Sequence, residues 1–410
     1  MRSRWIAAVL LIVGSIAPAS AQPQRSLSAF DVPECDRPTD LPPLLPVPPP
    51  STPRSPGTGG PSGEYDPGYF YLPERAPEKP KPTACGPAGR FWIGAGLELA
   101  WLKPTQVPAL VRLGTATGPV AFGGQLTSPF VAGLSLAGGF WLNEDHTHGF
   151  DASAFLLPQS GTNTVIFSNG SPLLLPTANG GMFPLADPTL GLAGAYQAGF
   201  NTRFTSADVN YRNNLLCTPD ARLDALVGYR YGHVGDEASL YGKRIGTDGE
   251  IVRFRDDISA RNDFHGGQIG LAGEYRLDRW FLAGSGKVAF GAVFTETDLE
   301  GKFRVNGKVV PFGFYARPGV SGTMQHSHFA VMPVAGLTLG RQLGERGRIT
   351  VGYNFLYLSS LTRAPDVIDP TPAVLTGNPQ ASIPAANVRR DAATSDFWVQ
   401  TVSLGMEWRY

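Results

Sequence analysis

The chain has 410 residues, and its 34 Lys and Arg balance 34 Asp and Glu, so the formal net charge is zero. This balance argues against a nucleic-acid-binding protein, which needs a basic face. Charged residues make up 17% of the chain, below the roughly 25% of ordinary soluble domains, and 50 glycines with 10% aromatics suit a strand-rich protein.

The N-terminus has the order of a secretory signal peptide. Two arginines fall within the first four residues, an apolar run continues to about Ile16, and the small residues ASA precede Gln22. We therefore expect residues 1–21 to be a cleaved signal peptide, because the run is shorter than the roughly 20 apolar residues of a membrane anchor. No other stretch suits a transmembrane helix, so a membrane crossing is predicted to use strands.

Residues 22–89 are predicted to form a Pro-rich periplasmic tether. Nearly half of the 37 prolines lie between about residues 31 and 90, and such a segment does not build a packed core. A proline-rich recognition motif is the alternative.

The three cysteines, Cys35, Cys85 and Cys217, are too few and too scattered for a metal site or a disulfide framework. Export permits one pair. We expect Cys85 to pair with Cys35 or Cys217.

From Arg90 onward, alternating segments are separated by clusters of Gly, Pro and Asn. Alternation of period two is typical of a strand whose two faces meet different surroundings. Ten strands are predicted, with eight to fourteen as the range, at about 90–103, 130–142, 149–157, 201–213, 221–232, 264–276, 280–295, 328–341, 348–360 and 396–410.

The connections between these strands alternate between long and short. In an up-and-down barrel this places all long loops on one rim, as in outer-membrane barrels with short periplasmic turns and longer external loops. We therefore predict an all-β fold for residues 90–410: a transmembrane, antiparallel, up-and-down β-barrel with long external loops. Its alternative is a soluble barrel or sandwich, in which the apolar face points inward.

Aromatic residues recur ten positions apart on one strand face. Ten residues on strands tilted by roughly 40° climb about 25 Å, the height of the apolar band between the aromatic girdles of a membrane barrel. The predicted girdle, with the C-terminal aromatic, consists of Phe91, Trp101, Phe130, Phe140, Trp280, Phe290, Trp398, Trp408 and Tyr410.

The opposite strand faces carry the charged residues that are predicted to point into the lumen. They either select ions or small solutes, or fill the interior as ion pairs. About eight strands leave an interior just filled by side chains, so ten strands favour filling over an open pore. The lumen-facing candidates are Glu98, Asp151, Asp208, Arg222, Asp224, Arg230, Glu274, Lys287, Glu407 and Arg409.

No motif for catalysis or metal binding is convincing. The turn NEDHTHGFD, residues 143–151, has acidic and His residues, but polar residues are common in any turn. The GSGK sequence at 284–287 lacks the spacing of a phosphate loop. We expect no cofactor, no bound metal and no enzymatic activity.

Several ordered segments resemble the outer-membrane β-barrel family known mainly from planctomycete genomes and long catalogued as a domain of unknown function. These are RFWIGAGLELAWLKP, LDALVGYRYGHV, FHGGQIGLAGEYR, GKVAFG, FAVMPVAGLTLGRQL, VGYNFLYLSSLTR and DFWVQTVSLGMEWRY. The resemblance covers about residues 90–410. It implies a barrel embedded in an outer membrane and supplies no activity or catalytic residues.

Three functions follow as hypotheses. The first is a non-enzymatic outer-membrane barrel, porin-like or structural; the second is a surface adhesin or ligand-binding barrel acting through its long external loops; the third is an outer-membrane enzyme. The expected partners are outer-membrane lipid, the barrel-assembly machinery through the C-terminal strand, and small solutes or external surface ligands, but not nucleic acid.

Overall fold

The computed structural model describes residues 89–317, 319–369 and 393–410, apart from the side chain of Asn179. The predicted signal peptide and the Pro-rich segment up to residue 88 lie outside the described residues. Cys217 is disulfide-bonded. The other two cysteines, Cys35 and Cys85, also lie outside the described residues, so the predicted pairing stays a prediction.

The described residues form fifteen strands and three short 3₁₀ turns. The strands are β1 Phe91–Leu102, β2 Thr105–Leu113, β3 Val120–Leu126, β4 Val131–Trp141, β5 His148–Phe167, β6 Leu173–Pro176, β7 Met182–Ala186, β8 Ala193–Cys217, β9 Ala221–Ile245, β10 Ile251–Leu277, β11 Trp280–Val305, β12 Lys308–Val310, β13 Gly322–Leu343, β14 Gly347–Leu361 and β15 Ser395–Arg409. The 3₁₀ turns are Ala178–Gly180, Pro188–Leu190 and Ala364–Val367.

Ten of the strands form a closed antiparallel ring. Their order is β10-β9-β8-β5-β4-β1-β15-β14-β13-β11, and the pairing of β10 with β11 closes the ring. A closed ring leaves no unpaired strand edge in its wall. The predicted all-β, up-and-down barrel of ten strands is confirmed.

The two rims of the ring differ. One rim, the turn rim, has the short connections 142–147, 218–220, 278–279 and 344–346. The chain end also lies there, since the Tyr410 N–H donates to the Phe91 carbonyl at 2.9 Å. The other rim, the loop rim, carries the remaining connections.

Strands β8 to β11 are 25–27 residues long, about twice the predicted length. The predicted loops 158–200, 233–263 and 296–327 are therefore wrong where strands continue through them. The connection between β9 and β10 shrinks to residues 246–250.

The strands are longer than predicted because the apolar side chains change from the outer face to the inner face partway along them. On β10 the outward positions from Leu277 back to Ile269 include exposed apolar side chains. The outward positions from Asp263 back to Arg253 are polar instead. Between Asp263 and Ile251, most of the inward positions are apolar. This outer part of β10 has Asp263, Arg261, Ser259, Asp257, Arg255 and Arg253 outward, and Ala260, Ile258, Phe254 and Val252 buried inside.

The neighbouring strands change polarity at the same height. Asp263 pairs with His233 of β9 and with Phe294 of β11, and the next outward residue of β11 is Glu296. On β9, β10 and β11 the ring therefore has an apolar outer band next to the turn rim and a charged outer wall next to the loop rim.

Among the described residues, the connections that carry β2, β3, β6 and β7 pack against the inner wall of the barrel. Strands β2, β3, β6 and β7 form a second sheet. Its apolar residues, among them Leu110, Phe122 and Leu173, share one buried cluster with inward residues of the ring such as Tyr196 and Phe254. We call this cluster the mouth core. No helix in the described ranges is long and apolar enough to cross a membrane.

Candidate solute chamber in the barrel lumen

Inward side chains near the turn rim line a polar chamber. The chamber consists of a cavity of about 390 Å³ and a second cavity of about 220 Å³ beside the turn rim. Glu274, Ser285, Asn354 and Glu407 line both cavities. The first cavity has the size of small-molecule sites, which are typically about 300–1,000 Å³.

Asp208 of β8 is the centre of an ion-pair network that crosses the chamber. Its carboxylate lies 2.6 Å from Lys287 Nζ of β11 and 3.3 Å from Arg230 Nη2 of β9. Gln268 Nε2 of β10 donates to it at 2.8 Å, and the Ser153 hydroxyl of β5 also donates. Because β8 and β11 are not neighbours in the ring, Lys287 reaches Asp208 across the lumen.

Glu274 of β10 organises a second network closer to the turn rim. Arg348 Nη1 of β14 lies 2.8 Å from its carboxylate, and Arg276 Nε lies at 2.7 Å. Arg409 Nη2 of β15 lies at 3.9 Å and its guanidinium also contacts Glu407. These pairs join β10 to β14 and β15, neither of which is its neighbour in the ring, so they tie separate parts of the barrel wall together.

The turn at residues 142–147 borders the chamber at the turn rim, where Trp141 and His146 line the smaller cavity. The Arg222 guanidinium stacks over the Trp141 ring at 4.0 Å and donates to the His146 carbonyl at 2.7 Å. Its Nε also donates to the Asp224 carboxylate at 2.9 Å. Burial and the nearby Arg222 lower the pKa of His146, which keeps its imidazole neutral against this arginine.

Glu98 of β1 differs from the other acidic residues of the chamber. It is 3% exposed and lines the larger cavity. Its Oε2 atom has no hydrogen-bond partner among the described residues, and none of the ion pairs found within them includes it. A buried carboxyl oxygen without a partner is costly, so this residue calls for an explanation.

An apolar layer closes the lumen above the chamber. It draws buried side chains from every strand of the ring except β4, none of them more than 8% exposed. The Phe204 ring of β8 packs against the Phe397 ring of β15 with centroids 5.5 Å apart, although β5, β4 and β1 separate these strands in the ring. The members of the layer are Ala100, Leu102, Leu157, Phe204, Val234, Phe264, Ala289, Val293, Ala330, Met332, Leu356, Leu358, Leu361, Phe397 and Val399.

A buried ion pair lies between the apolar layer and the mouth core. Arg363, which follows β14, places Nε 2.6 Å from the Asp236 carboxylate of β9. Its Nη2 donates to the Thr202 hydroxyl of β8 at 3.1 Å. The first residues after β14 are thereby held inside the barrel.

The mouth core includes Phe314, Tyr315 and Ala316, which belong to residues 312–316, here called the mouth segment. Phe314, Tyr315 and Ala316 are at most 6% exposed, and their backbone N–H groups all donate to the Asp256 carboxylate at 2.8–3.1 Å. Asp256 thus anchors the mouth segment to the inner wall of β10. Burial raises the pKa of this carboxyl to about 6, although the three N–H donors act in the opposite direction.

This raised pKa predicts a pH dependence of stability. Between about pH 4 and pH 6 the folded protein keeps a proton on Asp256 that the unfolded chain has lost, so the free energy of unfolding should fall as the pH rises through this window. Chemical unfolding from pH 4 to 7 measures it. Asp256→Asn should remove this part of the slope, whereas Asp257→Asn, at an outward position paired with Arg255, should retain it. Identical slopes in the protein and in Asp256→Asn would contradict the expectation.

The lumen-facing candidates from the sequence all lie at low exposure. Six are buried, and the side chains of Glu274, Lys287, Glu407 and Arg409 are 13–22% exposed. Asp151 lies 3.4 Å from Arg212. All except Glu98 take part in ion pairs, which favours charges that fill the interior.

The sequence interpretation missed four residues that pair with these candidates: Arg212, Gln268, Arg276 and Arg348. Each lies in a predicted strand at the same alternate positions as the predicted charges, so the period of two could have found them. Sequence reasoning gave no reason to expect the apolar layer.

The predicted girdle residues lie on the outer surface. Eight of them are between 38% and 63% exposed, and Trp398 is half-buried. A second aromatic group, absent from the prediction, lies just below the change of polarity. It consists of Tyr229, Tyr231, His265 and Phe294, linked by a hydrogen bond of 2.5 Å between Tyr229 and His265 and by ring contacts.

Comparisons with known proteins give one family. The family model described as "Putative beta barrel porin-7 (BBP7)" matches residues 104–410, which include every ring strand except β1. No curated protein sequence matches the chain.

Among solved structures, the chain is similar to the toluene transporter TodX of P. putida, with 10% identity, a TM-score of 0.26 and coverage of 79% of this chain and 91% of that chain. A Pseudomonas aeruginosa FadL homologue has 9% identity, a TM-score of 0.22 and coverage of 78% and 90%. Similarity at this level carries no inference about what the chain binds.

Proposed function

We propose, from the premise that the chain belongs to the Putative beta barrel porin-7 family, that it is a non-enzymatic, gated porin. The family places the chain among outer-membrane β-barrels of porin-like fold. The proposed activity is to hold small solutes in the polar chamber and to let them pass only when the apolar layer and the mouth core rearrange.

The apolar layer is the observation that carries this proposal. An open porin needs a continuous aqueous path, whereas the rings of Phe204 and Phe397 meet in the middle of this lumen. Short turns lie on the periplasmic side of outer-membrane barrels, so the chamber is accessible from the periplasm and closed toward the outside. A planar-bilayer recording tests this, since the folded protein should show no steady conductance.

The connections at the loop rim pack into the barrel within the described residues, so they give no separate support to a surface adhesin. The partners that this proposal uses are lipid around the outer band and small solutes in the chamber; the barrel-assembly machinery and external surface ligands stay predictions.

The apolar outer band predicts where a charge is tolerated. Leu271→Arg, at an outward position of β10 that is 49% exposed, should lower the free energy of unfolding in lipid vesicles by about 2–4 kcal/mol because it places a charge against the hydrocarbon core. Ser259→Arg, on the same face of the same strand but beyond Asp263, should change it by less than about 0.5 kcal/mol. Equal effects of the two substitutions would show that lipid does not surround the apolar band.

A further inference from the structure

The charges that line the larger cavity do not cancel. Asp208 is paired with Lys287 and Arg230, and Glu274 and Glu407 are paired with arginines. Glu98 has no such partner among the described residues, and its Oε2 atom accepts no hydrogen bond. Lys and Arg side chains of the protein therefore neutralise the other acidic residues of this cavity, and the Glu98 carboxyl group is available to a ligand.

Glu98 lies where the polar chamber meets the apolar layer. It is the next inward residue of β1 after Ala100, a fully buried member of the layer. Phe155, Leu356 and Val399 also line this cavity and offer apolar surface. A molecule bound here meets a carboxyl group at one end and apolar side chains at the other.

A small residue beside Glu98 lets the Ser135 hydroxyl approach the β1 backbone. Gly96, the preceding inward residue, has no side chain, and a Cβ atom there would lie 2.6 Å from Ser135 Oγ and 3.7 Å from Glu98 Oε1. The Ser135 hydroxyl is thus close to the carboxyl group and offers a second polar contact for a ligand. Hydroxyl groups of Ser153, Ser403 and Thr401 also line this cavity.

We propose that Glu98 is the anchor of a binding site for small amphipathic cations, in which a primary ammonium group donates to the free carboxyl oxygen and an apolar portion packs under the apolar layer. An ammonium group has three donors and no acceptor, which matches an unpartnered carboxylate. An anionic solute would be repelled by Glu98. A fully polar cation would make no contact with the side chains of the apolar layer. The site rests on the proposed function only in that its chamber must be reachable from the turn rim; it does not require passage through the barrel.

Binding of benzylammonium to the folded full-length protein in zwitterionic detergent tests the site by calorimetry. Saturable binding is expected, and Glu98→Gln should weaken it at least tenfold. The matched control is Glu300→Gln, an exposed outward residue of β11, which should leave binding unchanged. Benzyl alcohol, of the same shape but without charge, should bind weakly to the unmodified protein and equally weakly to Glu98→Gln.

The comparison of the two ligands on the unmodified protein needs no variant, so the test holds even if Glu98→Gln folds poorly. Equal affinities for benzylammonium and benzyl alcohol, or affinity for benzylammonium that survives Glu98→Gln, would overturn the site. Neither result bears on the gated porin, because conductance is recorded without any ligand. Conversely, a steadily conducting barrel would refute the closed lumen and leave the cation site standing.

Discussion

A variant that lacks both closures of the lumen is expected to conduct ions where the unmodified barrel is silent. The first change is Phe204→Ala with Phe397→Ala, which removes the two rings that meet across the apolar layer. The second replaces residues 311–317 with a Gly-Ser linker and so removes the mouth segment. Because the two closures lie one above the other, each change alone should leave the barrel silent and only the combination should give discrete conductance steps in a planar bilayer.

Loss of stability is the main risk for these variants. Each buried Phe→Ala substitution typically costs about 3–5 kcal/mol. The recording therefore uses protein that still shows heat-modifiable migration on a gel, the sign of a folded membrane barrel. A folded combined variant that remains silent, or an unmodified protein that conducts steadily, would contradict the gated porin.

Removing the cation that crosses the chamber should destabilise the barrel strongly. In Lys287→Met the Asp208 carboxylate, 1% exposed, loses its 2.6 Å partner and keeps only Arg230 as a counter-charge. Breaking a buried ion pair from one side typically costs about 3–5 kcal/mol because a charge remains buried without compensation. The free energy of unfolding in urea measures this loss.

Two further variants separate this effect from the loss of any lysine. Lys302→Met, at an exposed outward position of the same strand, should be almost neutral. Adding Asp208→Asn to Lys287→Met should cost less than the sum of the two single substitutions, since the interaction can be lost only once. Strict additivity would mean that the pair contributes nothing, whatever its distance.

The ten strands and the two strand faces could be predicted because alternation survives in the sequence wherever lipid meets the outer surface. Leu277, Tyr275, Leu271 and Ile269 show it on β10. The predicted strand begins only at residue 264, whereas β10 begins at Ile251, because the outer face of β10 becomes charged at Asp263. Beyond that point the alternation continues, but with polar residues outside and apolar residues inside. This arrangement is typical of a water-soluble barrel and does not match the pattern of a lipid-facing strand.

The closures of the lumen could not be predicted in the same way. The mouth segment, FGFYA, has no period, and its burial depends on three hydrogen bonds to Asp256, more than fifty residues earlier in the chain. The sequence shows that Glu98 is a charge on an inward face. Whether such a charge has a partner depends on which strands oppose each other across the ring, and this is a property of the closed barrel alone.

The change of polarity at Asp263 and Phe294 also fixes how deep the barrel sits in its bilayer. Sinking by one outward row would bring Asp263, Arg261 and Glu296 toward the hydrocarbon, where the cost of an Arg rises with depth from about 0–1 kcal/mol at the interface to about 2–4 kcal/mol at the midplane. Rising by one row would instead expose the aromatic side chains of Tyr229 and Phe294 to water. A bilayer whose hydrocarbon thickness differs from the height of the apolar band must therefore thin or thicken locally around this protein. Only one depth places the apolar band in lipid and the charged outer wall in water.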